Sequence, residues 1–126
     1  MSEPVASQGK IEIFDDVIRA IAGVAMSGVK GIVGPRGTFI DGIKAATTGK
    51  RDFHSGVDVK KTADDKFEID LYIIIEYDVR VMEVAQEAQR VVKERVEAIT
   101  GRSVGAVNVH IADIKLPDSI LSREQD

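Results

Sequence analysis

The chain contains no cysteine and no tryptophan, and only three prolines. Without Cys there is no disulfide scaffold, no thiol nucleophile and no thiolate zinc site. Aromatic residues make up 5% of the sequence, so its core must be built from Val, Ile, Leu and Ala. No long hydrophobic run is present. The longest, Leu71 to Ile75, is a strand length and far short of the roughly 20 residues that span a bilayer. Met1 to Gln8 is polar and lacks the basic-then-apolar order of a signal peptide. These features predict a soluble, cytoplasmic protein. Any membrane association would come through a partner or a surface patch. There is no surplus of positive charge either. The net charge is −4, which argues against general nucleic-acid binding, where Lys and Arg must displace counterions.

What is present is an ordinary globular composition. The chain has 126 residues, 44% of them apolar and 30% charged, enough to bury one core without staples. We expect a single domain over residues 9–116, with flexible segments at 1–8 and 117–126.

Lys10 to Phe14 alternates polar and apolar, which predicts a short strand. Asp15 or Asp16 is placed to cap a helix in which Val17, Ile18, Ile21, Ala22, Ala25 and Val29 recur at helical spacing. Gly28 or Gly31 ends it. Ile32 and Val33 suggest a brief strand, with a turn at Gly34-Pro35. Thr38 to Ala46 has weak helical character, and Thr47 to Ser55 reads as an exposed loop. Val57 and Val59 begin a hairpin whose second strand, Phe67 to Tyr77, is the strongest in the chain. Phe67, Ile69, Leu71, Ile73, Ile75 and Tyr77 fall on one face, and Glu68, Asp70, Tyr72, Ile74 and Glu76 on the other.

Met82 to Thr100 is the strongest helix, with a stripe of Val84, Ala85, Ala88, Val91, Val92, Val96 and Ile99 and charge pairs on its wet face. Gly101 stops it. Val104 to Ile114 returns as a strand with Val107, Val109 and Ile111 inward. This order predicts an α+β fold. It would be a two-layer sandwich of a small, mainly antiparallel sheet with two main helices on one face.

The open sheet face would carry Glu12, Asp58, Lys60, Glu68, Asp70, Glu76, Asn108 and His110. Carboxylates can do acid–base work, but these have the spacing of no known site, and a solvated sheet face explains them. His54 and His110 have no metal-ligand spacing. Ser27 and Ser55 lack any triad context. No catalytic residue, metal site or cofactor is therefore assigned.

Gly28-Val29-Lys30-Gly31 matches the G-x-x-G loop of KH RNA-binding domains, but Ile32 to Pro35 resist the helix that follows it there. Gly28, Lys30 and Gly31, together with basic Lys44, Lys50 and Arg51, form a candidate loop site on this alternative reading. Tyr72 and Ile74 sit on the face expected to be wet. Either they are isolated exposed apolar residues, or they anchor an interface rimmed by Asp70, Glu76, Asn108 and His110.

Three ordered segments together resemble the alkaline-shock-protein family of envelope stress response proteins. The first is Gly9-Lys10-Ile11-Glu12-Ile13 leading to Val17-Ile18, Ile21-Ala22-Gly23 and Val29-Lys30-Gly31-Ile32. The second is Gly56-Val57-Asp58-Val59 with Ile69 through Tyr77. The third runs from Val84-Ala85 through Val91 and Val96 to Thr100-Gly101 and Val107-Asn108-Val109-His110-Ile111. The resemblance implies a bacterial, cytosolic, non-enzymatic protein linked to envelope homeostasis under stress. It implies protein partners, including a small integral membrane anchor protein, and self-association. It attributes no catalytic residues. A protein-interaction and scaffolding module is the leading expectation, and an RNA-binding module using the G-x-x-G loop is the alternative.

Overall fold

A computed structural model describes residues 8–35 and 56–119. The elements run α1 (Asp15–Ser27), β1 (Ile32–Pro35), β2 (Val57–Lys61), β3 (Phe67–Glu76), α2 (Val81–Thr100) and β4 (Val104–Lys115).

The strand β3 is the centre of the sheet because its sequence satisfies both faces. Phe67, Ile69, Leu71, Ile73 and Ile75 are buried under the helices. It pairs antiparallel with β2 from Phe67 to Leu71 and antiparallel with β1 from Ile73 to Ile75. It pairs with β4 along its whole length, from Phe67 to Glu76, and that pairing is parallel. One edge of β3 is thus shared end to end by β2 and β1, and the other belongs to β4. The β3–α2–β4 segment is the crossover that a parallel pair requires.

Both described helices lie on one face, as the one-sided apolar patterns predict. Ile18, Ala22, Ala25 and Met26 of α1 and Val84, Ala88, Val92 and Val96 of α2 join the strand residues in one core. The two helices run antiparallel, since α1 feeds β1 at the Ile75 end of β3 and α2 starts there. The wet face of α2 carries Arg90 bonded to Glu87 and, at 3.0 Å, to Glu94. Gly101 closes α2 in the left-handed conformation (φ +72°), its N–H donating to the Glu97 carbonyl.

Several local expectations are corrected. Lys10 to Phe14 is irregular, because alternation without a neighbouring strand among the described residues leaves its polar backbone no ladder to join. Neither Asp15 nor Asp16 caps α1. Phe14 holds the cap position without a side-chain bond, and the two carboxylates sit in the first turn, where the helix dipole favours them. Val17 points outward and Met26 takes the inward position instead. Gly34 and Pro35 extend β1 rather than turning, which an edge strand allows for Pro. The strand β3 ends at Glu76, so Tyr77 is exposed at the reversal made by Asp78 (φ +73°). Ile99 and Ile111 are also exposed, because neither lies opposite the other layer. The helix expected at Thr38 to Ala46 and the loop at Thr47 to Ser55 lie outside the described residues.

Candidate functional site

The face of the sheet opposite the helices is organised by the parallel register of β3 with β4. Paired residues in a parallel ladder point to the same side, so Asp70 with Asn108 and Tyr72 with His110 stand side by side. Their side chains connect. Asn108 Nδ2 donates to Glu68 Oε2 at 2.9 Å and to Asp70 Oδ1 at 3.1 Å. His110 Nε2 lies 2.9 Å from Asp70 Oδ1. A carboxylate only accepts, so His110 carries its proton on Nε2. The His110 ring stacks on Tyr72 with centroids 4.5 Å apart and planes 13° from parallel. Lys60 reaches toward Glu68 from β2 at 3.9 Å.

The hydrogen bond from His110 is the main cause holding the Asp70 carboxyl below its ordinary pKa. Partial burial opposes the shift, while Asn108 and the nearby Lys60 reinforce it. The result is an ordered polar surface with an aromatic platform. Among the described residues no grouping of three His, Cys, Asp or Glu could hold a metal ion.

Four of the six candidate interface residues, Asp70, Tyr72, Asn108 and His110, therefore come together. Ile74 shares their side of β3 but is only 3% exposed, which corrects the expectation of a wet position. Glu76 stands at the far end of β3 and lines a different feature. This is a groove of about 680 Å³ between the end of α1 and the first half of α2. Sequence reasoning placed Glu68 on this face but did not tie it to Asn108. That link depends on which strand neighbours β3, and the pairing is 40 residues distant in sequence.

The candidate loop residues divide. Gly28, Lys30 and Gly31 form the α1–β1 connection and line the same groove. Gly31 adopts φ +99°, and a Cβ there would lie 2.9 Å from Val84 Cγ2. Its N-terminal neighbours turn the chain, and its own lack of a side chain lets α2 approach. A strand follows, not a helix, so Gly31 has a packing role and the loop lacks the helix that follows a nucleotide-clamping G-x-x-G. Lys44, Lys50, Arg51, His54 and Ser55 lie outside the described residues. Among those that are described, no helix is long and apolar enough to cross a membrane.

The model of the alkaline shock protein family, described as having a cell envelope-related function, matches residues 3–116. The uncharacterised protein YqhY of Bacillus subtilis is 36% identical over 107 residues, covering 85% of this chain and 78% of its own length. YloU of the same organism is 33% identical over 110 residues, covering 86% and 90%. A stress response regulator gls24 homolog of Streptococcus pyogenes is 31% identical over 110 residues, covering 87% of this chain and 61% of that protein. Among solved structures, a variant of the MamM C-terminal domain is similar at a TM-score of 0.47 and 14% identity, covering 82% of this chain and 98% of that one.

Proposed function

The chain belongs to the alkaline shock protein family, whose described function is cell envelope-related, and from that membership we propose that it is a non-enzymatic protein-interaction module serving envelope stress homeostasis. Membership bears out the resemblance of its three segments. The names of the relatives given above, among them a stress response regulator, contain no enzyme and support the same reading.

The observation that carries the proposal is the connected surface of Glu68, Asp70, Tyr72, Asn108 and His110. Both described helices lie on the other side of the sheet, and the side chains of Glu68, Asp70 and His110 are 29%, 20% and 45% exposed. Their hydrogen bonds fix the polar atoms before any partner arrives, which lowers the ordering cost of binding. Tyr72 is half-buried and rigid against His110, the kind of amphipathic group that interfaces favour. The partner is a protein, and a small membrane-anchored protein would bring this module to the envelope from the cytoplasmic side.

The test is recovery of partners from the native cell with Tyr72→Ser combined with His110→Ser, both positions that accept polar residues on a sheet face. The fold is verified by circular dichroism. We expect partners held by the wild type to be lost. Unchanged recovery from a folded variant would rule out this face, and salt-sensitive retention of RNA in place of protein would favour the alternative module.

A further inference from the structure

The strand β4 has 12 residues and, among the described residues, a neighbouring strand on only one side. Its hydrogen-bonding directions follow from three bonds. The carbonyls of Ser103 and Lys115 accept from Phe67 and Tyr77, so those two positions turn toward β3. The carbonyl of Val107 accepts from Gln89 Nε2 of α2 at 3.0 Å, so Val107 turns away from β3. Alternation, with the register shifts beside Gly105 and Ala112, then places Val109, Ile111 and Ile114 outward as well.

Two side chains mark the ends of this edge. Gln89 occupies the Val107 carbonyl, and the Asp113 carboxylate accepts from the Ile114 N–H at 2.7 Å. The outward backbone groups between them belong to Val109 and Ile111. The helix layer is uneven along the same strand. Val104 and Val107 are buried, but Ile111 is 39% and Ile114 40% exposed on the helix side, where α2 gives no cover.

We infer that this edge pairs antiparallel with the β4 edge of a second copy of this chain, about a twofold axis at His110. Val109 of each copy faces Ile111 of the other, and the two pairs exchange four backbone hydrogen bonds within the window between Gln89 and Asp113. The same rotation lays the uncovered Ile111 and Ile114 of one copy beside the covered Val107 segment and the Gln89 turn of α2 of the other. The self-complementarity of a half-covered strand is what selects a second copy over an unrelated extended peptide. An isologous twofold contact needs only this one patch. Long apolar edge strands are otherwise shielded in natural proteins, and among the described residues only the bulges and two side chains do so here. The pairing joins two open faces into one continuous surface. It deepens the interaction reading by naming one partner, and rests on that reading for its purpose.

The chain lacks Cys, so single-cysteine variants of the purified protein report the contact directly. Residues 110 of the two copies would form a non-hydrogen-bonded pair with Cα atoms about 4.5 Å apart, within reach of a disulfide. On mild oxidation His110→Cys is expected to convert largely to a disulfide-linked dimer, while Lys93→Cys on the outer face of α2 stays monomeric. Sedimentation equilibrium of the wild type should give a dimer, and Ile111→Lys a monomer. A monomeric wild type, His110→Cys crosslinking no faster than Lys93→Cys, or a dimer unaffected by Ile111→Lys would each overturn the inference. If His110→Cys does not fold, the sedimentation pair decides. Because only purified protein is used, failure here is separate from failure to recover partners from cells.

Discussion

Gly31 and Asp70 show how single residues tie the scaffold to its surface. Gly31 needs its conformation and its missing side chain together. Gly31→Ala would have to hold φ near +99° and push against the stiff Val84 side chain. We expect a loss of about 2–3 kcal/mol, read by chemical denaturation. A stability equal to wild type would show that α2 can retreat freely. Ile73 is fully buried, and Ile73→Asp should not fold, because an unpaired carboxylate in the core costs several kcal/mol. Glu87→Ala, on the exposed Arg90 network, should melt with the wild type. Asp70 makes stability depend on acid. Its carboxyl titrates lower in the folded chain than in the unfolded one. It therefore stabilises the fold above the unfolded value, near 3.9, and that contribution disappears as pH falls through the folded value. At neutral pH Asp70→Asn should be less stable by about 1 kcal/mol. Thermal melts from pH 7 to pH 3 should show the two proteins converging as pH drops below about 4. Parallel curves would mean that the His110 bond does not persist in solution.

At the scale of elements, what could be read from the sequence follows from what is local. The helix α2 repeats Val84, Ala88, Val92 and Val96 every four residues, and β3 alternates from Phe67 to Ile73. Periodicity alone therefore set their type and inward faces. The hairpin β2–β3 was equally legible, since its turn spans only Thr62 to Lys66. The parallel pairing of β4 with β3 was not, because it depends on a crossover through the 20-residue α2 and on no adjacent pattern. That pairing builds the Asp70–Asn108–His110 cluster. Hence the sequence marks its members as a polar face but not the bonds between them. Lys10 to Phe14 shows the converse, with strand-like alternation but no described strand to pair with. For Ile74 alternation gives the right side of β3 but the wrong exposure, since it fixes a side and not what covers it. The inward stripe of α2 gives an element-scale prediction. Val92→Ala should cost about 2–3 kcal/mol from lost burial and a residual cavity, while neighbouring Lys93→Ala should be near neutral. Equal denaturation midpoints would contradict the assigned face.

For the whole molecule, the division of labour is between two sides of one sheet. The helix side holds the apolar core, and none of the described buried positions there is polar. The opposite side carries a bonded polar surface and a stacked Tyr–His pair, and the β4 edge adjoins it through His110. The chain belongs to an envelope-related family, and the proposed interaction reading puts its function on that surface. The most direct measurement is growth of the native cell under envelope stress when the wild-type gene is replaced by Tyr72→Ser with His110→Ser, at equal protein abundance. The account predicts that this folded variant behaves like a deletion. Growth indistinguishable from wild type would contradict it.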